Sequence, residues 1–105
     1  MKNDTPITLQ EPWFLTEKDL TKQLQLEISN KHVLFSKPLK TIAQRQDRDD
    51  VLFELADDEY KYAVVHLTWS KNIHEDGKYP LTTLYKDWKN LYENRIKPDV
   101  EGFEK

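Results

Sequence analysis

The chain has 105 residues and no cysteine, and its 16 Lys and Arg residues nearly balance 19 Asp and Glu residues, for a net charge of −3. This size fits one domain, residues 1–105, with a core for two layers. The charge balance disfavours a general nucleic-acid binder, and the missing thiols exclude disulfides and zinc–thiolate sites. No apolar run approaches a membrane span and no secretory signal is recognisable, so we expect a cytoplasmic protein that binds neither nucleic acid nor membrane.

The N-terminal third predicts a loose arm followed by one helix. Residues 1–11 are polar and are interpreted as the arm. A helix is predicted over 16–29, because Thr16 can cap its start and apolar residues repeat every four positions at Leu20, Leu24 and Ile28. The periodicity fails from Lys31 to Pro38, which indicates a connector.

Three strands are predicted in the middle of the chain. Residues 39–46 alternate weakly, which favours a short strand with helix as the alternative. Residues 51–56 and 60–69 have alternating side chains and are rich in β-branched and aromatic residues, which is typical of half-buried strands. Asp57 and Asp58 favour a turn between them, so the three strands form an antiparallel meander.

The length of this turn decides which side chains face the core. An odd loop such as 57–59 places Val51 and Phe53 on the same face as Ala63 and Val65, whereas a two-residue turn at 57–58 reverses the faces. We favour the odd loop, because the face formed by residues 63, 65, 67 and 69 is apolar throughout.

A polar loop with Gly77 and Pro80 leads to a second predicted helix, which starts near Thr82 and ends at Pro98. Its apolar face comprises Leu81, Leu84, Tyr85, Trp88, Leu91, Tyr92 and Ile96. Residues 99–105 are interpreted as a tail.

The order of elements predicts a two-layer α+β fold with both helices on one face of a three-stranded antiparallel sheet. The predicted core comprises Leu20, Leu24, Val51, Phe53, Val65, Leu67, Trp69, Leu84, Trp88 and Leu91. In this arrangement the other face of the sheet has no third layer to cover it.

That second face is the candidate binding site, and its members are Glu54, Tyr62, His66 and Thr68. His66 lies in mid-strand among apolar residues, where it serves either a ligand or the structure itself. An exposed face that mixes apolar area with hydrogen-bonding groups is typical of a contact with a partner or with a second copy.

The remaining polar clusters predict no metal site, no cofactor and no catalytic residue. Asp47, Asp49 and Asp50 match the opening of an EF-hand loop, but Leu52 stands where that loop requires glycine. The run His74-Glu75-Asp76 matches no zinc-binding spacing and indicates a solvated loop.

The segments IAQRQDRDDVLFELADDEYKYAVVHLTWS and YPLTTLYKDWKNLYENRIKPD resemble a group of short bacterial proteins with no assigned activity. The resemblance covers about half to two thirds of the chain. It implies a self-contained bacterial domain and carries over no catalytic residue.

These features together predict a non-enzymatic domain that binds another protein or associates with itself. One alternative is a small enzyme or ligand-binding protein that uses the sheet face around His66. Another is a toxin-neutralising, immunity-like protein whose acidic turns meet a basic partner.

Overall fold

The computed structural model describes residues 9–56 and 59–103. Within these residues the chain forms a five-stranded antiparallel sheet in which strands adjacent in sequence are adjacent in space. The strands are β1 (Trp13–Leu15), β2 (Leu39–Arg45), β3 (Asp50–Leu55), β4 (Tyr62–His66) and β5 (Leu81–Tyr85). The α+β class is confirmed, but the three-stranded meander is wrong, because β1 and β5 extend it at both edges.

β1 lies directly before the predicted start of the first helix, and β5 replaces the predicted start of the second. The Thr16 backbone N–H donates to the Ile42 carbonyl at 3.1 Å, which continues the β1–β2 pairing, and helix α1 (Thr21–Glu27) begins only after it. The spacing of Leu81, Leu84 and Tyr85 fits a helical face, but five residues are too few to separate helix from strand. β-branched threonines at 82 and 83 favour the strand.

The second helix starts at Trp88, where the Asp87 carboxylate accepts a hydrogen bond from the Asn90 N–H at 2.8 Å. It runs through α2 (Trp88–Leu91), a π-helical turn (Tyr92–Ile96) and α3 (Lys97–Phe103), together called the C-terminal helix. Pro98 does not end it as predicted. A proline ring clashes with the carbonyl four residues earlier, and the wider π turn, which ends at Ile96 and in which the Lys97 N–H donates to Tyr92, lies just before that proline.

The predicted tail from residue 99 is corrected as well, because residues 99–103 are helical and Val100 packs in the core. Residues 104–105 and most of the predicted N-terminal arm, residues 1–8, lie outside the described part of the chain. Next to that arm, Leu9 packs against the core.

The two helices cover opposite faces of the sheet, so the protein has three layers where two were predicted. Leu24 and Ile28 of α1 pack against the odd-numbered residues of β3 and β4. Leu91, Ile96 and Val100 of the C-terminal helix pack against the other face. Adjacent residues of a strand point to opposite faces of the sheet, and Leu52 and Val64 are as apolar as their neighbours. Both faces of the sheet are therefore apolar, and each requires a helix to bury it.

The predicted register is confirmed. Val51 pairs with Val65 and Phe53 with Ala63, so facing residues are both odd-numbered. The turn predicted at Asp57 and Asp58 lies outside the described residues. β4 stops at His66, and the predicted core residue Trp69 is 46% exposed.

Candidate functional site

The sheet face predicted to be exposed lies largely under the C-terminal helix. Tyr62, Leu52 and Val64 are buried beneath it. The prediction that this whole face meets a partner is therefore wrong, because an additional layer covers it. Its four predicted site residues fall into three separate environments.

Glu54 and Tyr62 form the first environment, as a directly facing pair on β3 and β4. The Tyr62 ring lies edge-on to Trp88, with ring centroids 6.2 Å apart. Burial, followed by the nearby charges of Glu54 and Asp87, raises the pKa of the Tyr62 phenol. Tyr62 therefore belongs to the contact between sheet and helix and is closed to ligands.

His66 forms the second environment, at the end of β4. Its Nδ1 lies 2.7 Å from Oδ1 of Asp50, which faces it across the strands. The Asp50 carboxylate also binds Arg95, so it is an acceptor and Nδ1 carries the proton. The imidazole is 49% exposed, and its Nε2 has no partner among the described residues.

Asp50 belongs to a chain of alternating charges that joins the sheet to the C-terminal helix. Arg95 Nε donates to Asp99 at 2.9 Å, and Arg45 Nη1 on β2 lies 3.3 Å from the same carboxylate oxygen. The Trp13 indole N–H donates to Asp99 as well, at 2.9 Å. Burial alone disfavours the Arg95 charge, but the hydrogen bond to Asp99 and the charges of Asp99 and Asp50 outweigh it and raise its pKa.

Thr68 belongs to the third environment, on the side of the sheet where α1 lies. Its N–H and Oγ1 both donate to Oε1 of Glu27, at 3.0 and 2.8 Å. The other oxygen of Glu27 accepts from the Trp69 N–H at 2.8 Å and from Gln23 Nε2 at 2.7 Å. Glu27 is fully buried, so neutral donors hold its carboxylate and tie the loop after β4 to α1.

His74 extends this contact. Its Nε2 lies 2.8 Å from Thr68 Oγ1, and its backbone N–H donates to the Glu27 carbonyl at 2.8 Å. Glu27 and His74 form no larger cluster: the described residues contain no group of three or more His, Asp or Glu side chains able to hold a metal ion. We interpret Glu27, Thr68 and His74 as the structural support of the loop.

Trp69 is the unusual residue of this loop. Its φ of 59° lies in the left-handed region, which bulky side chains rarely adopt and which costs about 1–3 kcal/mol. The successive N–H groups of Thr68 and Trp69 both donate to the Glu27 carboxylate. The indole N–H donates to Asp49 at 2.9 Å, while nearly half of the ring remains exposed.

These contacts lie at the same end of β3 and β4, but on the two sides of the sheet. Asp49 holds Trp69, the adjacent Asp50 holds His66, and His66 pairs directly with Leu81 of β5. We call this the sheet corner; its members are Asp49, Asp50, His66, Trp69 and Leu81. Leu81 is 53% exposed, so the His66 imidazole and this aliphatic side chain are exposed neighbours, whereas the backbone of the half-exposed Trp69 is held by Glu27 on the side of α1.

Sequence reasoning found His66 at this site but missed Glu27, Asp50, Trp69 and Arg95. For Glu27 a signal was present, because it lies three residues after Leu24 and therefore on the apolar stripe of α1. Asp50 was assigned to a turn, and no local pattern distinguishes it from Asp49. Arg95 meets Asp50 across 45 residues of sequence, a pairing that no periodicity predicts.

A concave surface lies away from the sheet corner. A groove of about 420 Å³ runs between α1 and the following connector, lined by Gln25, Ile28, Leu34, Phe35, Ser36, Lys37, Pro38 and Leu39. Neither His66 nor Trp69 lines it. In the described part of the chain, every helix is too short or too polar to cross a membrane.

Comparison of the chain with protein-family models, with curated proteins and with solved structures finds no match. The resemblance to short bacterial proteins stays a prediction, and the case for function depends on the geometry of the sheet corner.

Proposed function

We propose that this protein is a non-enzymatic binding domain that contacts another protein through Trp69 and the neighbouring side chains of the sheet corner. The observation that carries the proposal is the conformation of Trp69. Glycine would meet the same left-handed geometry without strain, so the backbone gives no reason for a tryptophan there. A strained, half-exposed indole held at both its backbone and its ring supports a role in recognition.

The composition of the corner favours a protein over a small molecule. Tryptophan is enriched among residues that dominate binding energy, and Leu81 and His66 add exposed apolar and hydrogen-bonding area at the same end of the sheet. Small-molecule sites are concave and bury most of the ligand. The 420 Å³ groove, by contrast, lies away from these side chains.

The two alternatives from the sequence receive less support. Asp50 orients His66 as the carboxylate of a catalytic dyad would, but Arg95 already pairs with Asp50, and Tyr62 and Thr68 lie in other environments. A charge-driven, toxin-neutralising contact would need free carboxylates in the acidic turns. In the turn before β3, Asp47 pairs with Arg45, Asp49 binds Trp69 and Asp50 is buried. Of the second acidic turn, 57–59, Asp57 and Asp58 lie outside the described residues.

The proposal is tested with a photo-crosslinking amino acid placed at residue 69 and, as a control, at Phe14, which is 42% exposed on β1. In extract of the source organism, we expect one protein to crosslink from position 69 and not from position 14. With that protein purified, Trp69→Gly should weaken binding by about 30-fold or more, as loss of a tryptophan hot spot does, whereas Phe14→Ala leaves it unchanged.

Trp69→Gly should retain the stability of the wild type or exceed it, because the strain is removed. A partner that binds Trp69→Gly as tightly as wild type would contradict the proposal. A large loss of stability in Trp69→Gly would identify the indole as structural.

A further inference from the structure

Among the described residues, no backbone–backbone hydrogen bond from outside the sheet reaches Thr82 or Leu84 of β5. At the start of the strand His32 Nε2 lies 3.0 Å from the Pro80 carbonyl and 3.2 Å from Thr82 Oγ1. Hydrogen bonds from Leu55 N–H to Lys61 and from Leu67 N–H to Asp49 show that odd-numbered residues of β4 bond to β3. Backbone groups alternate in direction along a strand, so the even-numbered residues of β4 bond to β5. Because His66 pairs with Leu81 and Val64 with Thr83, the N–H and C=O groups of Thr82 and Leu84 point away from β4.

The two edges of the sheet differ in their protection. Edge strands are ordinarily shielded by short length, proline or charged side chains. β1 has three residues and follows Pro12 directly. β5 has five residues, Leu81–Tyr85, and it likewise follows a proline, Pro80, directly. Neither strand contains a charged residue or a proline, so β5 differs from β1 in offering a longer edge for strand pairing.

We propose that β5 pairs with β5 of a second copy of the chain, antiparallel and about a two-fold axis at Thr83. In this register Thr82 lies opposite Leu84 of the second copy, and Leu84 opposite Thr82. Both are residues whose backbone groups point outward, so each pair exchanges two hydrogen bonds. The contact is isologous and joins the two sheets into one, and it goes beyond the proposed recognition through Trp69.

The side chains of the strand suit this register. Thr83 faces Thr83 of the second copy, which is a favourable cross-strand pair, and exposed Leu81 faces Tyr85. Every residue of the strand is uncharged, so no like charges meet across the two-fold axis. A self-complementary strand favours a second copy over an unrelated peptide as the occupant of this edge.

The test uses opposite charges at the axis. Thr83 is exposed, so Thr83→Lys and Thr83→Glu should both fold as monomers. In analytical ultracentrifugation each variant alone should raise the dimer dissociation constant by at least about tenfold, because like charges face each other. An equimolar mixture of the two should restore the dimer. The matched controls Phe14→Lys and Phe14→Glu, on the exposed surface of β1, should leave dimerisation unchanged.

Wild-type protein supplies a second measurement that needs no variant. The Thr82 and Leu84 amides should exchange hydrogen more slowly as protein concentration rises, while other exposed amides do not change. A wild type that stays monomeric at millimolar concentration, with no change at these amides, would overturn the proposal. So would a dimer that both charged variants and their mixture leave unaffected. Neither result depends on Trp69, so failure here and failure of the proposed function are distinguishable.

Discussion

Two buried carboxylates on opposite sides of the sheet show two different ways of stabilising a negative charge. Glu27 on α1 accepts hydrogen bonds from Thr68, Trp69 and Gln23, which are all neutral donors. Asp50 on β3 pairs with Arg95 and His66. Glu27 fixes a loop against a helix, whereas Asp50 fixes a helix against the sheet.

The two arrangements differ in their sensitivity to change. Neutral donors must all be aimed correctly, and each becomes an unsatisfied buried group if the carboxylate is removed. The chain from Asp50 through Arg95 to Asp99 and Arg45 shares charge among several groups and reaches the surface, so water can replace part of it. We therefore expect Glu27 to tolerate substitution less well than any member of the charge chain.

The largest effect is expected for Glu27→Ala, at about 4 kcal/mol of the free energy of unfolding, because buried donors lose their acceptor and a cavity forms. Urea denaturation measures it, with Glu17→Ala on the exposed surface as a control that changes stability by less than about 0.5 kcal/mol. The Thr68 and Trp69 amides should also lose protection from hydrogen exchange. A loss below about 1 kcal/mol would show that the loop does not depend on Glu27.

A smaller effect is expected for Arg95→Met, at about 2–3 kcal/mol, because Asp50 and Asp99 lose a cationic partner while Met retains most of the apolar contact. Asp50→Asn in the same background should recover part of this loss, since it removes the unpaired charge. The double-mutant cycle then gives a coupling energy between the two sites. Strictly additive losses of stability in the two variants would show that the interaction between Asp50 and Arg95 does not itself contribute to stability.

The smallest effect on the free energy of unfolding is expected at alkaline pH, where Tyr62, on the sheet face under the C-terminal helix, ionises. The folded pKa of Tyr62 is raised above the unfolded value of about 10, so its contribution to stability is complete below that pH and is lost as pH rises through the folded pKa. The free energy of unfolding should therefore fall more steeply above pH 10 in wild type than in Tyr62→Phe. If the free energies of unfolding of the two proteins depend on pH in parallel, the Tyr62 phenol is not buried as described.

Trp13 and Trp69 show how far local sequence could predict the fold. Both are tryptophans next to predicted element boundaries, and their outcomes are opposite: Trp13 is buried in β1 and Trp69 is exposed after β4. Trp13 is buried because a strand and a helix distant in sequence close over it, at Arg45 and Asp99. Trp69 is turned outward because Glu27 captures its backbone N–H. Arg45 and Asp99, the partners of Trp13, and Glu27, the partner of Trp69, all lie too far away in sequence for hydrophobic periodicity to predict these contacts.

The sequence by itself determined the central strands and their register. The runs 51–56 and 60–69 predict strands by their β-branched and aromatic content, and the apolar odd-numbered face favours the parity of pairing that β3 and β4 show. The sequence also determined that Trp88 to Ile96 are helical, since their apolar face spans more than two turns, but it placed the start of that helix near Thr82, where β5 lies.

Only the tertiary structure decided which face each helix covers, and with it the location of the candidate site. The strands are apolar on both sides, so the pattern of β3 and β4 accepts a helix on either one. The choice is made by long-range contacts, Leu24 against the odd-numbered side and Asp50 with Arg95 on the other. Such pairings depend on loop closure between distant segments, which no local propensity encodes, and they leave His66 and Trp69 of the sheet corner exposed.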